Sequence, residues 1–109
     1  MELEEKAVRV KIYVGESDHF GNIPAYKAVV HYLRENGIWG ATVVRGIYGF
    51  GKRSVLHSAS PLRLSEDLPI IIEAVDSEKK VTALIPRISD MVRGGLITLE
   101  DVRAVRHMG

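Results

Sequence analysis

The chain has 109 residues, no cysteine and a formal net charge of +1 at pH 7. The lack of cysteine excludes a disulfide framework and a thiolate-bound metal, and the near-neutral charge lacks the basic surplus of nucleic-acid-binding domains. The acidic start is unlike a targeting peptide, and apolar runs such as 68–72 are too short to cross a bilayer. We therefore expect one cytoplasmic domain over 1–109, without membrane insertion and with a flexible N-terminus at 1–6.

The first half of the chain predicts a strand, a helix and a second strand. Apolar and polar residues alternate over 7–14, which is typical of a strand with one buried face. Pro24 opens a helix, whose apolar residues have helical spacing and which ends at Gly37. A strand rich in Thr and Val follows over 41–48, and the irregular pattern after it predicts a long loop over 50–67.

The second half predicts a further strand, helix and strand. The apolar run within 68–75 is typical of a central strand that is covered on both faces. Ser77 is a suitable N-cap for the second helix, although Pro86 should bend that helix or disturb its first half. Two glycines at 94–95 end the helix, and two short extended segments at 96–99 and 102–106 complete the chain.

The resulting order, β-α-β-β-α-β, predicts an α+β fold of the ferredoxin-like type. Such a fold has a four-stranded antiparallel sheet with two helices on one face. The other face is then bare, and its residues here are partly apolar. We expect self-association to cover that face.

Five segments carry a resemblance to a known family. In chain order they are 13–18 (YVGESD), 24–26 (PAY), 40–43 (GATV), 45–51 (RGIYGFG) and 64–70 (LSEDLPI). With these segments the chain resembles, over 8–106, the uncharacterised PII-like family, a group of unknown function within the PII nitrogen-regulatory superfamily. Residues 49–52 also look like the base of the PII T-loop, so the resemblance makes 50–67 a T-loop-like segment.

The resemblance implies a signalling protein and not an enzyme. Proteins of this kind form compact homotrimers and, where a ligand is known, bind adenine nucleotides in clefts between subunits. Their T-loop grips a protein partner, often a transporter, and members of the uncharacterised family are often encoded near fluoride exporters; a membrane transporter is thus the implied partner. The loop at 93–96 (RGGL) departs from the PII pattern Gly-Asp-Gly-Lys, so the ATP contacts of that loop are not carried over.

The glycines and cations that follow the second strand are the main candidates for a ligand site. Gly46, Gly49 and Gly51 let the backbone approach a ligand and present N–H groups to an anion. Lys52 and Arg53 would add positive charge to that site. The alternative is a flexible loop with solvated charges. By resemblance, the anion is expected to be an adenine nucleotide.

Two arginines near the C-terminus are further candidates. Arg103 and Arg106 are three residues apart on a strand, so they point to opposite faces. In similar proteins a C-terminal arginine reaches a phosphate in the subunit cleft, and one of these two is expected to do so. The alternative for both is a charged edge strand that discourages aggregation.

The first turn holds two secondary candidates, Glu16 and Asp18. They are predicted to bind a cation or a ligand hydroxyl, or to pair with arginines of a neighbouring subunit; the alternative is ordinary turn chemistry. Glu66 and Asp67 are adjacent acids, but neighbouring side chains in an extended chain point in opposite directions. They therefore do not predict a catalytic carboxylate pair. The four histidines lack metal-ligand spacing, so no metal is expected.

Two other function classes were weighed against the signalling protein. A small ferredoxin-like enzyme with an active site between subunits would need a convergent acid, base or nucleophile, and no such set is evident in the sequence. An RNA-binding module would need aromatic residues on its first and third strands. Tyr13 is the sole aromatic residue that these two strands supply.

Overall fold

The computed structural model describes residues 2–51 and 67–107, with the backbone alone for 2–4. Within these residues the elements are β1 (Glu2–Gly15), β2 (His19–Phe20), β3 (Ile23–Pro24), α1 (Ala25–Glu35), β4 (Ala41–Arg45), β5 (Pro69–Asp76), α2 (Glu78–Met91) and β6 (Leu96–His107). Most of the predicted T-loop-like segment, 52–66, lies outside the described residues. None of the described helices is long and apolar enough to cross a membrane.

The sheet confirms the predicted ferredoxin-like arrangement. Its strand order is β4-β5-β1-β6, and each neighbouring pair is antiparallel. A separate two-stranded hairpin, β2–β3, forms where the sequence predicted only a polar turn. Along the chain, α1 lies between β1 and β4 and α2 lies between β5 and β6. The two strands of each of these pairs are not neighbours in the sheet, so both helices return across it.

The core lies between the helices and one face of the sheet. Alternate residues of β1 and β5 point into it, as the period of two requires, and the helices contribute residues at helical spacing. Each fully buried Ile or Leu side chain contributes about 1.5–3 kcal/mol through the area that it removes from water. The largest of the fully buried apolar side chains are Val10, Ile12, Val29, Leu33, Ile72 and Ile88.

The opposite face of the sheet is only half-buried in this chain. In β5, Ile70, Ile72 and Ala74 are buried while the residues between them are partly exposed. The prediction that this strand is covered on both faces is therefore wrong for the described chain, because both helices pack on the same side. The open face also carries charge, since Arg9 Nε lies 2.9 Å from Glu73 Oε1.

The N-terminal and C-terminal segments of the chain pair with each other as strands. β1 and β6 run side by side from Glu2 opposite His107 to Tyr13 opposite Leu96. The predicted flexible N-terminus is therefore wrong for 2–6, because that segment pairs with β6 as an antiparallel strand. For the same reason the two short C-terminal segments are one strand. Since β5 ends opposite Val8, residues 2–7 pair with 102–107 alone as a two-stranded ribbon.

The beginning of α2 is built as predicted and is tied to the loop after α1. The Ser77 hydroxyl accepts a hydrogen bond from Lys80 N at 3.3 Å, which confirms it as the N-cap. Next to it, the buried carboxylate of Asp76 accepts from Trp39 N at 3.1 Å and from Ser77 N at 2.6 Å. The helix continues through Pro86 to Met91.

Candidate ligand-binding cleft

A cleft of about 410 Å³ opens at the sheet edge where β1 ends and where β5 and β6 begin. The pairing places these ends together, because Gly15 lies opposite Pro69 and Tyr13 lies opposite Leu96. The residues that line the cleft are Tyr13, Val14, Gly15, Asp18, Phe50, Gly51, Asp67, Pro69, Gly94, Gly95 and Leu96.

The turn over 15–18 shapes one wall of this cleft. Gly15 N donates to Asp18 Oδ2 at 2.9 Å, and Asp18 N donates back to Gly15 O at 3.1 Å. Ala25 N, at the start of α1, donates to Asp18 O at 2.8 Å. Asp18 thus performs the turn chemistry that the sequence analysis gave as the alternative, while one edge of the residue faces the cleft.

Residues of the same turn form hydrogen bonds at both ends of the connection between β4 and β5. On the outgoing side, Arg45 Nη1 donates to Glu16 Oε2 at 2.9 Å. On the returning side, Asp67 Oδ1 accepts from Ser17 N at 3.2 Å and from Ser17 Oγ at 2.8 Å. The predicted arginine partner of Glu16 therefore lies in the same chain, because β4 ends beside the point where β5 begins.

The loop after α2 packs tightly against β1 because it lacks side chains. Gly94 adopts a positive φ of 83°, which favours glycine. A Cβ on Gly95 would lie 2.6 Å from Tyr13 O and 2.9 Å from Val92 O, so only glycine fits there without displacement. In the sequence, this loop stood out only because it departs from the Gly-Asp-Gly-Lys pattern of PII proteins. In the structure, its two glycines form a wall of the cleft.

The three predicted glycines after β4 have different positions. Gly51 lines the cleft, whereas Gly46 N donates to Pro69 O at 2.7 Å and so is not available to an anion. A Cβ on Gly46 would lie 2.8 Å from Pro69 Cγ, and one on Gly49 would lie 3.1 Å from it. Because Gly46 and Gly49 have no side chains, the backbone at these positions can pack closely against Pro69.

The two predicted arginines of β6 do not reach the cleft within one chain. Lys52 and Arg53 lie outside the described residues. Arg103 is seven residues along β6 from Leu96, a separation of about 23 Å at the usual strand rise. Arg106 is farther still; its guanidinium carbon lies 4.0 Å from the centre of the Trp39 ring, and its Nε lies 3.4 Å from Glu5 Oε1.

The described lining of the cleft combines apolar surface with negative charge. Tyr13, Phe50, Pro69 and Leu96 supply the apolar walls, and Phe50 and Leu96 are 72% and 58% exposed. The carboxylates of Asp18 and Asp67 are the charged groups in this lining, which contains no lysine, arginine or histidine among the residues the structure describes. The cleft therefore suits a planar ring that donates hydrogen bonds.

Asp67 was not predicted from the sequence as a cleft residue. The adjacent acids at 66–67 were considered as a catalytic pair, and that interpretation was rejected. The available signal was the position of Asp67 just before a predicted central strand, because strand ends at one sheet edge gather polar side chains. Which other strand end lies beside it depends on strand order, and hence on the fold.

A second, more open concavity lies between the β2–β3 hairpin and the end of α2. Its volume is about 780 Å³, and Arg87, Asp90 and Arg93 line it together with residues of the hairpin. The Arg87 guanidinium lies 5.1 Å from the centre of the Phe20 ring, a cation–π contact that holds the hairpin against α2. This contact accounts for Arg87 without a ligand.

Known proteins resemble this chain both in sequence and in fold. The model of the family DUF190, described as an uncharacterised ACR, matches residues 7–104. A UPF0166 protein of Methanocaldococcus jannaschii is 40% identical over 97 residues, which cover 88% of this chain and 89% of that protein.

Two of the similar solved structures are of CPII, a nitrogen regulatory PII-like protein from Thiomonas intermedia. The apo form is 19% identical and has a TM-score of 0.62, over 98% of this chain and 100% of that one. The form bound to ADP, AMP and acetate is 19% identical with a TM-score of 0.61, over 94% and 91% of the two chains. These likenesses confirm the predicted PII-like fold.

Proposed function

Because this chain belongs to the DUF190 family and has a PII-like fold, we propose that it is a PII-like regulatory protein that binds an adenine nucleotide in the cleft. The observation that carries the proposal is the cleft itself. It has the volume and the apolar walls that a purine ring needs, at a sheet edge built from the ends of three strands. The bound ADP and AMP of CPII support the choice of ligand.

The phosphates of such a nucleotide require positive charge, which the described lining does not supply. Lys52 and Arg53 follow Gly51 directly in the sequence, and we propose them as phosphate ligands. Arg103 is the second proposed phosphate ligand, supplied by a neighbouring subunit. The family resemblance, in which a C-terminal arginine reaches a phosphate in the subunit cleft, supports this role.

The oligomer in this proposal is a homotrimer whose subunits bury the half-exposed sheet face. Exposed apolar residues at one end of the sheet, including Val44 and Leu96, would be covered in this way. The loop at 50–67 then presents its sequence to a protein partner. The transporter partner follows from the family resemblance and the cytoplasmic location from the composition and the N-terminal sequence. Both remain predictions, as does the absence of enzymatic activity.

Calorimetric titration of the full-length protein with ADP and AMP tests the ligand. We expect saturable binding, and we expect Phe50→Ala to weaken it about five-fold or more, since stacking on an aromatic side chain contributes about 1–3 kcal/mol per base. Tyr48→Ala is the matched control, because Tyr48 is equally exposed at 74% but does not line the cleft.

Two results would contradict the proposal. No heat of binding with either nucleotide would exclude the ligand, and equal loss in the two variants would exclude the cleft as its site. Light scattering coupled to size-exclusion chromatography tests the assembly separately. We expect three times the mass of the chain, and a monomer would refute the trimer while leaving the fold unaffected.

A further inference from the structure

We infer that Asp67 is the residue that determines which ring the cleft accepts, by taking a hydrogen bond from an exocyclic amino group. The ligand class is then a 6-amino purine, in preference to a purine without that group. The inference rests on the proposed function, since it specifies the chemistry of the ligand in the same cleft.

The position of the Asp67 carboxylate is fixed by the turn beside it. Ser17 N and Ser17 Oγ both donate to the same oxygen, Oδ1, at 3.2 and 2.8 Å. Two donors on one oxygen hold the plane of the carboxylate, so a ligand donor would bind at Oδ2. A charged acceptor held in this way discriminates more strongly than one that rotates freely.

A second carboxylate adds to the negative potential at this wall. A Cβ placed on Gly15 would lie 2.6 Å from Asp67 Oδ1 and 3.3 Å from both carboxylate oxygens of Asp18. The two carboxylates are therefore within about 6 Å of each other. Gly15 has no side chain to separate them, and together they favour a group that donates hydrogen bonds over one that accepts them.

The apolar walls determine the shape of the ligand, and the carboxylate determines its polarity. Phe50 and Leu96 present exposed apolar surface to the cleft, which suits the faces of a planar ring. The edge of that ring then meets Asp67. A ring without an amino group would leave the carboxylate without a donor when water is displaced, which costs binding free energy.

The test compares two nucleotides that differ in one group. They are adenosine 5′-monophosphate and purine riboside 5′-monophosphate, which lacks the 6-amino group. By calorimetry on the full-length wild-type protein we expect the amino nucleotide to bind about ten-fold to a hundred-fold more tightly, the range for a hydrogen bond to a charged group.

Asp67→Asn should abolish the preference for the 6-amino nucleotide, because it replaces a hydrogen-bond acceptor by a donor. Because Ser17 donates twice to Oδ1, the amide oxygen must occupy that position, and the amide NH₂ then faces the ligand. A donor facing an amino group cannot bond to it, so we expect the affinity ratio to fall to about one. Asp90→Asn is the matched control, because Asp90 is an exposed carboxylate on α2 that does not line the cleft. This variant should keep the wild-type ratio.

Each outcome separates this inference from the proposed function. If neither nucleotide binds to the wild type, the proposed function fails and the inference fails with it. If both bind with equal affinity, the inference alone is overturned. An unchanged ratio in a folded Asp67→Asn variant would also overturn it, and the wild-type comparison decides the question if that variant does not fold.

Discussion

Replacing Gly95 by alanine should strain the end of the central strand β1. The added Cβ would lie 2.6 Å from Tyr13 O and 2.9 Å from Val92 O, and both are backbone atoms. To bring the first contact to 3.0 Å, the backbone must move by about 0.4 Å. Because β1 lies between β5 and β6, that movement disturbs ladders on both sides, and it also shifts a wall of the cleft.

The expected cost is the usual cost of overpacking, about 1–3 kcal/mol in the free energy of unfolding. Guanidinium unfolding followed by circular dichroism measures it. Wild type and variant are compared at one protein concentration, because an oligomer makes the unfolding midpoint depend on concentration. We expect the midpoint to fall, and we expect AMP to bind more weakly.

Gly40→Ala is the matched control for this substitution. None of the described atoms lies within 4 Å of a Cβ at Gly40, and its φ is outside the left-handed region. There, alanine should be neutral or should stabilise by up to about 1 kcal/mol, because it restricts the unfolded chain. If Gly95→Ala were as stable as Gly40→Ala, the close packing of this loop on β1 would be refuted.

Three further substitutions have defined outcomes. Gly15→Ala should displace the Asp67 carboxylate, which a Cβ would approach to 2.6 Å; we expect a loss of about 0.5–1.5 kcal/mol in stability and loss of the preference for the amino purine by calorimetry. Asp76→Ala should lower the free energy of unfolding by about 1–3 kcal/mol, because it leaves the Trp39 N–H without its acceptor. Arg106→Ala should cost about 0.5–1 kcal/mol and shift the fluorescence of the single tryptophan, which loses its stacked guanidinium.

Controls for these substitutions come from the same chain. Asp90→Ala removes an exposed carboxylate and should change the free energy of unfolding by less than about 0.5 kcal/mol. If Asp76→Ala changed it equally little, the hydrogen bonds of Asp76 to Trp39 and Ser77 would not stabilise the fold. Arg103→Ala, on the opposite face of β6, should leave the tryptophan emission unchanged. A Gly15→Ala variant that retained full discrimination would show that the position of Asp67 does not depend on Gly15.

The sequence alone predicted the order of the main elements and the buried faces of β1, α1 and α2. Alternation in β1, helical spacing in α1 and α2, and the Ser77 cap are local patterns, and local steric and hydrogen-bonding preferences are sufficient to explain them. The five motif segments indicated the family, and the matching family model and the shared fold confirm it.

The lengths of the outer strands and the composition of the cleft were decided only by tertiary structure. Four of the five residues 2–6 are charged, and the segment forms a strand because β6 pairs with its backbone. Likewise Tyr13, Asp67 and Leu96 are far apart in sequence and meet because the strand order places three strand ends at one edge. The same order carries Arg103 and Arg106 to the opposite end. Side-chain pattern specifies which face a residue occupies, but long-range backbone pairing determines which residues become neighbours.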